Sequence, residues 1–254
     1  MIELNHINAG WLRTPVHPEI TCHCLILREG DQFALVDAGI GVKDAEDPVG
    51  RLGQQLIDLA GFTFDADETA FRKLEQRGIN PLRLGDIILT HADPDHAGGL
   101  ADFPQARVHV SQEELDNVNT GHWRYVTANF AHGPKWTPRA INDAEFFGLP
   151  ARRLPLGFSQ DILLVPLFGH TQGHCGVAIP QGDRWFLHVG DAYYLKAELT
   201  DLHHPVDQLA AVRADDNEAR LESLEHLRRI AREHAEVVTM CGYHDVTEWR
   251  AFTE

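Results

Sequence analysis

Alternation and apolar runs dominate the first forty residues. Ile2 to Ala9, Cys22 to Leu27 and Phe33 to Asp37 read as strands, the last two joined by the turn residues Glu29-Gly30-Asp31. A helix is expected from Pro48 through Leu52, Leu56, Ile57 and Leu59 to Gly61, with proline tolerated in its first turn. A second follows Asp67 and stops at Gly78, with Phe71, Leu74 and Arg77 spaced for one face. Ser111-Gln112-Glu113-Glu114 reads as a capping box opening a short helix. The longest helical stripe, Leu221, Leu224, Leu227 and Ile230/Ala231, lies between Asp216 and His234. Strands alternating with helices indicate an α/β chain.

From Asn117 to Gly157 this regularity is lost. The stretch carries Trp123, Tyr125, Phe130, Trp136, Phe146 and Phe147 among Gly133-Pro134 and Pro138. It is read as an aromatic lid over a site, a subunit contact, or an insert packed on its own core. The rest shows no repeat and no linker, so the expectation is a single domain over residues 1–254.

Composition narrows the partners. The chain of 254 residues carries 22 Lys+Arg against 38 Asp+Glu, a formal net charge of −16. A nucleic-acid partner is not expected, because binding a polyanion requires a Lys/Arg footprint. No apolar run approaches the roughly 20 residues of a membrane helix, and the start of the chain lacks the basic and apolar regions of a leader. A cytoplasmic location is the expectation, with four reduced cysteines that form no disulfide framework. Cys22 and Cys24 flank His23, but a Cys-x-Cys pair in an apolar strand is better read as two small buried residues. The unusual number is 16 histidines.

Four apolar strands end in residues of metal-ligating type. Ile87 to Thr90 leads to His91, Asp93, Asp95 and His96; Ile162 to Phe168 leads to His170; Trp185 to Val189 leads to Asp191; Val237 to Met240 leads to His244. Open α/β folds place their sites at the carboxyl ends of strands. Packing alone does not explain four such endings, since a buried imidazole or carboxylate needs a partner. The run from His91 to His96 puts four candidate ligands in six residues, a loop wrapped around something cationic, with Gly98-Gly99 allowing a tight turn after it. An acidic first turn of a helix starting at Pro94 would account for the carboxylates but not for the two histidines.

Leu35 to Gly39, Thr90 to Gly99, Gly169-His170-Thr171-Gln172-Gly173-His174, Gly190-Asp191 and Tyr243-His244-Asp245 together resemble, in order, the motifs of the metallo-β-lactamase superfamily. The resemblance runs from about residue 22 to 245. It implies an αββα sandwich, two mixed β-sheets flanked by helices, with a dinuclear metal site at one edge. By resemblance His91, Asp93 and His170 would bind one divalent ion, Asp95, His96 and His244 the other, and Asp191 would bridge. Asp93 departs from the family, whose core is His-x-His-x-Asp-His. Oxygen for nitrogen hardens that site, so Fe or Mn stand beside Zn as expected ions. Replacing Asp93 by His is expected to change metal preference while costing folding little.

The resemblance also implies a reaction. A hydroxide held between two ions attacks an electrophilic carbonyl, with Asp95 taking and passing on the proton. Asp191-Ala192-Tyr193-Tyr194 is similar to the Asp-Ala-x-Tyr segment of quorum-quenching lactonases, in which the tyrosine, here Tyr194, donates to the substrate oxygen. A packing aromatic is the other reading of Tyr194. Asp37 either orients a ligating histidine or is a polar strand end. His174 and His188 are expected to be structural, and His203-His204 solvent-exposed. Nuclease, glyoxalase-II-type and secreted β-lactamase branches fit poorly, for want of a basic face, a basic helical domain and a leader. A hydrolase of small-molecule esters or lactones remains, with phosphotriesters as side substrates and a homodimer possible. The rival is a diiron redox or oxygen-sensing protein, since flavodiiron proteins carry a carboxylate where Asp93 stands. A non-catalytic binding module is the third reading.

Overall fold

In the computed structural model, which describes residues 1–15, 17 and 19–253, two long strands begin the chain. Strands β1 (Glu3–Leu12) and β2 (Ile20–Glu29) pair antiparallel, and β3 (Gln32–Val36) returns alongside β2 through the tight turn at Gly30. Strand β4 (Phe62–Thr63) adds to the free edge of β1. On the other side β5 (Asp86–Ile88), β6 (Arg107–Ser111) and β7 (Lys135–Arg139) follow β3 in parallel, completing a seven-stranded mixed sheet. The second sheet has six strands. Its β8 (Ala144–Phe146), β9 (Leu149–Leu154), β10 (Ile162–Pro166), β11 (Cys175–Gln181) and β12 (Arg184–His188) run antiparallel in turn, and β13 (Val238–Cys241) pairs parallel to β12.

The buried residues sort into three layers. Between the sheets, Leu25, Leu27, Val36 and Ile88 of the first meet Leu164, Val177, Ile179 and Phe186 of the second. These strands are apolar on both faces because helices cover the outer ones. Outside the first sheet, Ile7, Cys24, Leu35 and Ile87 pack with Leu74 and Leu100 of helical segments. Outside the second, Leu163, Val165 and Leu187 pack with Leu224, Leu227 and Ile230 of the helix Asn217–Glu233. The architecture is the αββα sandwich that the motifs imply.

Several local expectations hold and several shift. Cys22 and Cys24 are buried and all four cysteines are free. The long helix starts at its Asp216 cap, whose carboxylate accepts from the amides of Glu218 and Ala219, but Leu221 at the edge of the stripe is exposed. The helix expected over 48–61 is two, Pro48–Leu52 and Gln54–Ala60, because Gly53 between them has φ +80°. The 117–157 stretch is more regular than its composition suggests. It supplies the short helix Thr127–Phe130, edge strand β7, and the hairpin β8–β9 that opens the second sheet, so most of its aromatics pack against sheet faces. Only the turn from 120 to 126 reaches the chemistry described next. Among the described residues no helix is long and apolar enough to cross a membrane.

Candidate metal centre

Both sheets deliver side chains to one end of the sandwich. The 91–96 loop follows β5 of the first sheet, while His170, Asp191 and His244 follow β10, β12 and β13 of the second. Asp191 sits in the middle. Its carboxylate oxygens lie 3.2 Å from His96 Nε2, 3.2 Å from His244 Nε2, 3.4 Å from His170 Nε2 and 3.9 Å from His91 Nε2. Two groups of donor atoms close enough to share an ion result: His91, His170 and Asp191 on one side, Asp95, His96 and His244 on the other. Asp95 Oδ2 is 3.5 Å from His244 Nε2 and 3.8 Å from His96 Nε2.

The outward nitrogens of these rings fix what faces inward. His244 Nδ1 lies 2.9 Å from the carbonyl oxygen of Thr21, and only a protonated nitrogen bonds to a carbonyl, so in the neutral ring Nε2 carries a bare lone pair. His96 Nδ1 is likewise held 2.9 Å from Asp37 Oδ2, leaving its Nε2 turned to the centre. Lone pairs thus face carboxylate oxygens in a buried site, and among the described residues His91 Nε2, His96 Nε2 and Asp191 Oδ1 have no hydrogen-bond partner. Acceptor against acceptor is repulsive unless a cation lies between them. The residues therefore fit a divalent metal, and the same chemistry suits one ion in each group. Without one, burial opposes a charge on His96 and His244, but the Asp191 and Asp95 carboxylates outweigh it and pull both rings above their ordinary pKa. The converse holds at Asp191, where His244 and His96 overcome burial and keep the carboxyl well below its usual range.

The surrounding backbone is built for this convergence. Gly190 has φ +55°, and a Cβ there would stand 2.6 Å from His174 Nε2. His174 is buried and structural as expected: Nδ1 donates to the Leu167 carbonyl at 2.8 Å, and Nε2 accepts from the Asp191 amide at 3.0 Å. Gly98-Gly99 serves a different purpose from the expected tight turn. Neither residue has positive φ; a Cβ on Gly99 would instead meet the Ala38 carbonyl oxygen at 2.3 Å, so the glycines allow two backbones to touch. His188 is buried and bonded to the His23 carbonyl, and His203 is exposed.

Asp93 lies at the edge of the first group, with Oδ2 3.4 Å from His170 Nε2 and 3.6 Å from His91 Nε2. Both its oxygens are also taken by Arg124: Nε donates to Oδ1 at 2.6 Å and Nη2 to Oδ2 at 2.9 Å. The Arg124 side chain is wholly buried and its Nη1 bonds Asp215 Oδ1 at 2.6 Å and the His170 carbonyl at 2.9 Å. Burial alone would raise the Asp93 pKa; Arg124, His170 and His91 together hold it well below the ordinary carboxylate range. This pairing was not foreseen, and it removes the ground for expecting a cheap Asp93→His exchange. An imidazole there would leave a buried guanidinium without its carboxylate.

Glu114 is the second residue that sequence reasoning missed. The capping box is only half formed: Ser111 Oγ accepts from the Glu114 amide at 3.0 Å, but the Glu114 carboxylate turns inward. It accepts from the Ala92 amide at 2.8 Å, Tyr125 Oη at 2.9 Å and Thr171 Oγ1 at 2.6 Å, tying the 91–96 loop to the 170–174 loop. Tyr243 acts similarly, donating from its phenol to the Asp95 carbonyl at 2.6 Å and stacking on His96 with ring centroids 3.7 Å apart. Tyr194 closes the open side, half-buried, with its ring 5.9 Å from that of His170 and 5.6 Å from that of His244.

Comparison with known proteins places the chain among metallo-hydrolases by sequence and fold. The chain is 36% identical over 203 residues to a probable metallo-hydrolase of Mycobacterium tuberculosis, a match covering 78% of this chain and 64% of that protein's length. It is 25% identical over 272 residues to the N-acyl homoserine lactonase AttM of Rhizobium johnstonii, covering 99% and 96% of the two chains. Among solved structures, an N-acyl homoserine lactone hydrolase with N-hexanoyl-L-homoserine bound at its catalytic metal centre superposes with a TM-score of 0.72 at 19% identity, over 98% of this chain and 95% of the other. The dizinc quorum-quenching lactonase AidC gives 0.64 at 17% identity, over 96% and 88%. The profile of the metallo-beta-lactamase superfamily matches residues 17–238. With that span and the two-sheet sandwich in agreement, the chain belongs to the metallo-beta-lactamase superfamily.

Proposed function

We propose that this chain is a metal-dependent hydrolase that cleaves small-molecule esters or lactones at a two-ion centre. The observation that carries the reading is the Asp191 carboxylate set within 3.9 Å of four imidazole Nε2 atoms, two of them unpartnered in a buried site. His91, His170, Asp191 and the near oxygen of Asp93 would hold one ion; Asp95, His96, His244 and Asp191 the other. Bound divalent ions lower the pKa of water toward ~7 and polarise a carbonyl oxygen.

The chain's own residues supply the rest. Asp95 is buried to 8% exposure but borders His244 and His96, and burial raises its carboxyl pKa above the ordinary value. In the proposed reaction it would take a proton from the attacking water and return it to the leaving oxygen. Burial and the neighbouring Asp191 push the Tyr194 phenol well up, so it stays protonated and donates to the substrate oxygen.

A redox role rests on the single Asp93 carboxylate as a metal-hardening ligand. Metal content per chain, measured beside turnover of lactones, aryl esters, thioesters and phosphotriesters, tests the hydrolase reading. Lactone or ester turnover that chelators abolish and zinc or manganese restores is expected. Two irons per chain with visible absorption and no turnover would overturn it.

A further inference from the structure

We infer that Arg213 is a specificity-determining residue that binds a carboxylate on the substrate, so that the preferred substrates are singly anionic esters or lactones. This rests on the hydrolase reading above and adds to it the charge of the substrate.

Two guanidiniums stand over Asp93, and they differ in kind. Arg124 is buried and saturated, with Nε, Nη1 and Nη2 all donating to Asp93, Asp215 or the His170 carbonyl. Arg213 ends the helix Val206–Arg213 and is anchored through its backbone, whose carbonyl accepts from Arg124 Nη1 at 3.1 Å. Its own guanidinium lies 3.8 Å from Asp93 Oδ2, and among the described residues it donates no hydrogen bond. Its side chain is 27% exposed and stacks on the ring of Trp123, with 5.8 Å from the guanidinium carbon to the ring centroid. Trp123 is 71% exposed, so this pair faces solvent rather than the interior. Arg213 and the proposed donor Tyr194 are near enough for the guanidinium to act on the phenol.

A partly exposed cation with unused donors 3.8 Å from Asp93, in a chain of net charge −16, stands where an anionic group reaching the centre would meet it. Resting over Trp123 while donating no hydrogen bond among the described residues, the guanidinium keeps its donors free for bidentate capture of a planar carboxylate. A phosphate dianion is poorly matched, because Arg124 has no donors left to share its second charge.

The test uses metal-loaded protein and two ligands of one shape, glutarate and glutaramate, with affinities measured by calorimetry. One carboxylate of each reaches the centre; only glutarate offers a second. A single charge-assisted pair is worth about tenfold to a hundredfold, so glutarate is expected to bind tighter by that factor. Arg213→Gln collapses the gap to under about threefold, whereas Arg213→Lys, which keeps the charge, retains most of it. An equal gap in Arg213→Gln, or none in the parent protein, overturns the inference. The 4-nitrophenyl esters of the same two acids separate it from the hydrolase reading. Turnover of both without preference defeats the carboxylate site and leaves the hydrolase; an Arg213-dependent binding gap with no turnover does the reverse.

Discussion

His96 Nδ1 and Asp37 Oδ2 are 2.9 Å apart in a pocket where both side chains are fully buried. The Asp37 carboxylate also accepts from the amide and the hydroxyl of Thr90, each at 2.8 Å, and its backbone is held at φ +56°. A carboxylate so fixed orients the ring and strengthens Nε2 as a donor toward a cation. Asp37→Asn is expected to weaken metal binding roughly tenfold to a hundredfold. Competition with a chelating dye measures this, and unchanged affinity would show Asp37 to be a strand-end polar group only.

Asp93 and Arg124 bear on stability. Truncating Asp93 to Ala leaves a buried guanidinium facing Asp215 alone, an expected loss of about 3–5 kcal/mol in urea unfolding. Adding Arg124→Met to Asp93→Ala is expected to recover a large part of that loss, since an apolar side chain tolerates the site. If the single variant unfolds like the parent protein, the pair contributes nothing to folding.

Glu114 predicts a pH dependence with a definite sign. Burial raises its pKa to about 7, against the partial relief of bonds from Thr171, Ala92 and Tyr125. A carboxyl raised in the folded state binds its proton more tightly there than when unfolded. Its contribution is therefore complete below the unfolded pKa near 4.5 and is lost as pH rises through about 7. The loss amounts to about 3 kcal/mol. Glu114→Gln, whose amide can still accept from Ala92 and Tyr125, should be less pH-dependent than the parent between those limits. Parallel stability profiles for the two proteins would contradict this.

For Tyr194, removal of the phenol oxygen separates chemistry from folding. Tyr194→Phe is expected to lower kcat by about tenfold to a hundredfold with a smaller change in KM, and to leave the urea midpoint within error. A midpoint shift without a kcat change would make Tyr194 a packing aromatic.

Much of this was legible because the repeated event was local: an apolar strand followed at once by His or Asp. The apolar runs that mark β2 and β10 and the residues His91, His170, Asp191 and His244 at strand ends needed no knowledge of distant neighbours. Asp93 was visible as a donor but not as the partner of Arg124, which lies in an aromatic stretch with no periodicity to place it. Glu114 was hidden by a correct rule applied too far. Its spacing from Ser111 satisfies a capping box, and only the third dimension turns its carboxylate toward Thr171 instead of its own helix end. The aromatic stretch misled in the same way, because edge strands such as β7 and β8 are short and lack the long alternation that a central strand displays.

That both sheets supply the donors has a consequence for how the protein matures. An unfolded chain offers an ion only the fragment from His91 to His96, because His170, Asp191 and His244 belong to strands of the other sheet. For the proposed two-ion centre, high-affinity capture would follow assembly of the sandwich, and the metal would then clamp the two sheets together at one end. Refolding rates should be the same with chelator as with zinc, while the unfolding rate falls once the ions are in.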